Sequence, residues 1–199
     1  MFGRKETTKF LTDLLINTRL SDRKYYAKEV TLDYGTSHPK RIDVVQFEPK
    51  GVTYTSDIEK GKFICYEIKS CVEDVFSGHG LRFYGEKNYI VTTMQTWKQL
   101  CDEAKTKDEP ADLMIANYIR EKCPESSSHF GVMVSVPAYV DVRKPNAIYK
   151  EMQNPTPLSE NIEWKLHTFV PCYDTSRNRS TTEMLFCMLR AKHNASNQQ

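Results

Sequence analysis

Between residues 7 and 19, in TTKFLTDLLINTR, apolar side chains recur at Phe10, Leu11, Leu14 and Leu15, the spacing of one helical face behind a threonine cap. The period then falls to two. YAKEVTLDYG and RIDVVQFEPKG are rich in β-branched and aromatic residues and each is stopped by glycine, and VTYTSDIEKGKFICYEIKS supplies more strand and a turn at Gly61. The three segments predict an antiparallel meander. After Lys69 the pattern turns helical again, with Ser70 and Glu73 at the spacing of a capping box, and Gly78 and Gly80 keep that helix short. KNYIVTT reads as a strand, MQTWKQLCDEAKTK and PADLMIANYIREK as helices, the second opened by Pro110, and FGVMVSVPAYV and NIEWKLHTFVP as strands. Residues 143–161 carry three prolines and few large apolar side chains and predict a surface excursion. In the last element Ser180 and Glu183 form a second capping box, and Met184, Leu185, Met188 and Leu189 mark its apolar face. A frayed tail is expected from about Asn194.

One strand breaks its own pattern. KFICYEIK is apolar on both faces, with Ile64, Tyr66 and Ile68 on one and Phe63 and Cys65 on the other, yet it ends in Glu67 and Lys69. Two other Glu-x-Lys pairs have simpler readings. Glu103 and Lys105 lie on a predicted helix, where positions two apart diverge; Glu163 and Lys165 share the polar face of a strand whose other face is Ile162, Trp164 and Leu166. For Glu67 and Lys69 no solvent face is evident, and burial of charge is costly unless the charge is paired or binds metal. Alternation in RIDVVQFE puts Asp43 on one face with Val45 and Phe47, so neighbouring strands would bring two carboxylates and an ammonium together. Such a cluster suits a hard divalent cation, Mg²⁺ or Mn²⁺, and a phosphodiester attacked by water, with the lysine orienting the water or neutralising charge on phosphorus. A buried Glu67–Lys69 or Asp43–Lys69 ion pair without catalytic purpose is the plain alternative.

Composition narrows the setting. At 199 residues, 39% apolar and 11% aromatic, the chain can bury one ordinary core, and a single domain over residues 1–199 is expected. It contains no apolar run long enough to span a bilayer and its first residues lack the apolar core of a secretion signal, which predicts a cytoplasmic protein without membrane contact. The six cysteines are scattered, which implies reduced thiols, and no two of the five histidines stand together. A net charge of +2 requires no nucleic-acid partner but tolerates a local basic surface.

The order helix, strand, strand with Asp43, strand with Glu67-Ile68-Lys69, helix, strand resembles the PD-(D/E)XK nuclease superfamily. RIDVVQFE, YEIKSCVEDVF, KNYIVTT and RNRSTTEMLFCMLRA are similar to its MmcB-like branch, DNA-repair nucleases of bacteria and phages. The likeness covers roughly residues 25–95 and 175–191. It implies an α/β fold with a restriction-endonuclease-like core, a mixed central sheet flanked by helices. It also implies Asp43, Glu67 and the main-chain carbonyl of Ile68 as metal ligands, Lys69 as the catalytic lysine, Mg²⁺ or Mn²⁺ as cofactor and DNA as substrate. Ile42 stands where the family name has proline, and a fourth acidic ligand would come from Asp13 or Glu29.

Two further groups suit a nucleic acid. His79, Arg82, Tyr84 and Lys87 mix basic and aromatic character in a glycine-containing rim, and Arg177 and Arg179 precede the last helix, where an anion would reconcile them with the helix dipole. The chain is therefore expected to be a metal-dependent nuclease acting on DNA in repair or in phage or mobile-element processing. The rival expectation is a catalytically silent protein that keeps the nuclease fold and binds nucleic acid or a protein partner.

Overall fold

The computed structural model describes residues 2–20, 25–77, 79–82, 84–104, 111–123 and 129–196. The first helix, α1 (Arg4–Leu15), begins earlier than the threonines suggest, because Glu6 accepts a hydrogen bond from the Gly3 N–H (2.7 Å) and so closes its first turn; a π-helical turn, Ile16–Leu20, follows. Leu11, Leu15 and Leu20 form its buried face.

Six strands make one sheet in sequence order: β1 (Tyr25–Leu32), β2 (Lys40–Glu48), β3 (Lys62–Lys69), β4 (Lys87–Thr93), β5 (Gly131–Pro137) and β6 (Trp164–Val170). β1, β2 and β3 are antiparallel neighbours, as the meander predicts; β3, β4 and β5 run parallel, and β6 returns antiparallel. The fold is thus α/β, a mixed six-stranded sheet flanked by helices. Between β2 and β3 the chain forms a short helix, α2 (Thr55–Glu59), rather than more strand, since Asp57 accepts from the Tyr54 N–H (3.2 Å) and starts a helical turn.

On one face of the sheet α1 covers Val44, Ile64, Tyr66, Ile68, Val91 and Met133. The other face is divided. The final helix, α7 (Thr181–Ser196), lies over β1 to β3 through Met184, Cys187 and Met188, against Ala27, Val45, Phe47 and Phe63. After α3 (Val72–Val75) come α4 (Met94–Glu103) and α5 (Ala111–Lys122), which cover β4 to β6 through Trp97, Leu100, Ile115 and Ile119 against Ile90, Val132, Val134 and Val136. Pro110, expected to open α5, lies outside the described residues, as do residues 197–199 of the expected frayed tail; α7 itself continues past Asn194 to Ser196.

Residues 143–161 lie at the surface apart from Glu151, as expected, and are helical in part: Pro145 at a tolerated first-turn position opens α6 (Pro145–Gln153), whose Glu151 is buried and accepts from the Thr156 N–H and hydroxyl (2.6 and 3.0 Å). Two expectations are corrected. The buried stripe of α7 is Met184, Cys187 and Met188, whereas Leu189 points outward; residues three and four apart share a stripe and Leu189 is rotated off it. The turn after β3 is held by Asp74, which accepts from the Ser70 N–H and hydroxyl (3.2 and 3.3 Å), with Cys71 at the helix cap, so Asp74 fills the place expected for Glu73. All six cysteines are free thiols and five are buried. Among the described residues no helix is long and apolar enough to cross a membrane.

Leu15 is fully buried beneath the sheet. Leu15→Ala is expected to lower the unfolding free energy by about 2–5 kcal/mol, seen as a lower urea midpoint at constant slope, whereas Leu189→Ala should change it by less than about 0.5 kcal/mol.

Candidate functional site

The ladder between β2 and β3 ends before either strand does. Its last pair is Val44 with Tyr66, yet β2 continues beside β1 to Lys40 and β3 continues beside β4 to Lys69. Continuing the register would set Asp43 opposite Glu67. There the Asp43 carboxylate accepts the Ile68 N–H (2.8 Å), supplying the acceptor a neighbouring strand would otherwise provide. The two strands part at this point.

Both strands of the β1–β2 hairpin change face at the same place. Ile42 and Val45 lie in one cluster under α7, which strict alternation forbids, and so do Ala27 and Val30. Glu29, between the latter two, has a left-handed backbone (φ +51°), which turns the hairpin. Asp43 sits at this break rather than in a continuous row with Val45 and Phe47.

The parting opens a cleft of about 880 Å³, lined by Asp43, Glu67, Ile68 and Lys69 and by Lys40, Arg41, His79 and Arg82, among others. Glu67 and Lys69 are each only 4% exposed. Burial, then the neighbouring Asp43, push the Glu67 carboxyl up to about 9, while Lys69 and Arg41 partly oppose the shift. These causes favour the neutral Glu67 carboxyl at neutral pH, and a hydrogen bond to Asp43 acts in the same direction. The Lys69 ammonium donates to the His79 carbonyl (2.6 Å), and the Lys69 carbonyl accepts from the buried Thr92 hydroxyl (2.6 Å), which fixes the end of β3 to β4.

Gly80 completes this wall. Its φ of +82° suits glycine, and a Cβ there would collide with the Glu67 carboxylate, so the loop can lie against Glu67 only because it lacks a side chain. Arg4 of α1, which also lines the cleft, pairs with Asp74 (2.7 Å). No protein-family model, curated protein or solved structure matches the chain.

The residues singled out from the sequence divide accordingly. Asp43, Glu67, Ile68, Lys69, His79, Arg82 and Tyr84 line one cleft. Lys87 does not join them: it begins β4 opposite Ile64, toward the far end of β3, and pairs with Asp174 (3.6 Å). Arg177 and Arg179 answer to protein carboxylates. Arg177 Nε donates to Glu86 (2.9 Å), and Arg179 grips Asp33 in a fork of two 2.9 Å bonds and also meets Glu183 (2.8 Å). The anion expected beside the last helix is thus protein-borne. Asp13 and Glu29 line a neighbouring cavity that shares only Asp43, Thr8 and Arg41 with the cleft. Gly78 lies outside the described residues. Gly80 and Thr92 carry structural weight in the site that local sequence did not signal, apart from the glycine itself.

An acid whose folded pKa exceeds its unfolded value favours the fold most below the unfolded value, near 4.5 here, and loses that advantage as pH rises toward 9. Stability should therefore fall across this window. Glu67→Gln should flatten the decline and exceed the unmodified protein by on the order of 2–4 kcal/mol at pH 7.5 in urea unfolding followed against pH.

Proposed function

We propose that this cleft hydrolyses phosphodiester bonds with the aid of a divalent cation, in a restriction-endonuclease-like core, and that the polymer is DNA, the substrate implied by the family resemblance. The observation that carries the reading is the parting of β2 and β3, which brings Asp43 beside Glu67 with Lys69 two residues further along the same strand. The donor set fits the cation. The donors would be the Asp43 and Glu67 carboxylates and, as the family resemblance implies, the Ile68 main-chain carbonyl; among the described residues no three His, Cys, Asp or Glu side chains converge. These are hard oxygen donors suited to Mg²⁺ or Mn²⁺, and a cation would offset both the burial and the Asp43 repulsion that raise the Glu67 carboxyl. A bound Mg²⁺ would supply Lewis acidity toward the phosphate oxygens and acidify water.

The chain's own groups supply the rest. Lys69, held by the His79 carbonyl, presents its ammonium from a nearly dry wall, where it can orient a water or offset charge growing on phosphorus. Lys40, Arg41 and Arg82 border the same cleft and give it a basic rim for the phosphate backbone. Thr92 limits the freedom of Lys69 through its main chain.

A second reading has its own observation. Asp43 is committed to the Ile68 N–H and Lys69 to the His79 carbonyl, so both have internal work without a metal. This favours a nuclease-like scaffold that binds nucleic acid or protein without cutting.

Titration with Mn²⁺ separates the two. Hydrolysis predicts saturable Mn²⁺ binding accompanied by proton release from Glu67, lost in Asp43→Asn and Glu67→Gln, together with DNA cleavage that falls at least 100-fold in Lys69→Ala while metal binding persists. Absence of Mn²⁺ binding, or cleavage unchanged in all three variants, would overturn it.

A further inference from the structure

Behind the Arg82–Tyr84 edge of the cleft lies a second cavity of about 750 Å³, and these two residues line both. Its other walls include Tyr173, His129, Arg177 and Asn178. Glu86 organises one side. Its carboxylate accepts the Phe63 N–H (2.8 Å) and Arg177 Nε (2.9 Å), and its carbonyl accepts the Thr175 N–H and hydroxyl (2.9 and 3.2 Å). The segment 172–175 is therefore pinned at both ends, by Thr175 and by the buried Cys172, whose sulfur accepts the Asn88 N–H (3.4 Å).

Tyr173 stands between these anchors with 73% of its surface exposed. A large exposed ring on a pinned main chain offers a stacking platform whose main-chain ordering is already met by the fold. Charge agrees with this use: Asp174, the acidic residue in this wall, is neutralised by Lys62 and Lys87. The guanidinium of Arg179 lies 5.7 Å from the centre of the Tyr84 ring, which steadies the shared edge.

We propose that the ligand of these two adjoining cavities is an unpaired polynucleotide strand, running from the Asp43–Glu67 cleft over the shared Arg82 and Tyr84 to Tyr173, which stacks on a base. The inference rests on the reading of the cleft as a phosphodiester site and names its substrate as single-stranded. Stacking on a side-chain ring needs a base with a free face, which an intact duplex offers only at its ends, while arginine follows the phosphates regardless of sequence.

The test measures binding by fluorescence anisotropy in EDTA, so that cleavage plays no part, with oligothymidylate of about 12 nucleotides, oligouridylate and a duplex of equal length. Oligothymidylate is expected to bind at least about tenfold more tightly than the duplex, and Tyr173→Ala to weaken it by about tenfold, while Tyr173→Phe, which keeps the ring, and Tyr139→Ala, an exposed ring elsewhere, leave it unchanged. Oligouridylate binding as tightly, or more so, supports the same path and extends it to RNA. Equal binding of duplex, or Tyr173→Ala without effect, overturns the proposal. Tyr173-dependent binding with no cleavage in any metal supports the strand path and defeats the hydrolytic reading alone.

Discussion

The hydrogen bond from the Ile68 N–H to the Asp43 carboxylate decides how the sheet ends. A main-chain donor at the last turn of a buried strand needs an acceptor, and here a side chain serves in place of the neighbouring strand. That substitution releases β2 to follow β1 while β3 follows β4. The space between them would be unfavourable if it were apolar and empty; it is instead polar, basic at its rim, and walled by the loop that Gly80 lays against Glu67. One acceptor thus links the geometry of the sheet to the chemistry of the cleft.

Electrostatic neutrality is achieved elsewhere by pairs that join distant parts of the chain. Asp33 and Arg179 are 146 residues apart and Glu86 and Arg177 are 91 apart, yet each pair is close enough to hydrogen bond. Such charge-assisted bonds tie the start of α7 to the β1–β2 turn and to the start of β4. Lys40, Arg41 and Arg82 at the cleft rim come from two separate segments and are invisible as a cluster in the linear order.

How far the sequence could be read depended on the range of the forces involved. The alternation of β3, its abrupt charges and the antiparallel meander are local, and Glu67 and Lys69 do end a strand that is buried on both faces. The parallel run of β3, β4 and β5 is not local. Lys87 looks close to His79 in the chain, but β4 begins opposite Ile64, so the strand's direction carries Lys87 away from the cleft. Arg177 and Arg179 were open to an external anion only because their carboxylates lie far away in sequence. The break at Asp43 and Val44 could not be seen either, since its companion is the left-handed backbone of Glu29, a conformation that glutamate does not advertise.

Gly80 and the His79 carbonyl have a kinetic meaning as well. Glu67, Lys69, His79, Gly80 and Tyr84 lie within eighteen consecutive residues, 67–84, and the Lys69–His79 bond closes a loop ten residues long. Closing so short a loop costs little chain entropy and proceeds on a timescale of roughly 10–100 ns in unfolded chains. One wall of the cleft can therefore organise around the end of β3 before the distant pairs that fasten α7 have formed, leaving Asp43 and the hairpin that carries it as the part brought in by long-range folding.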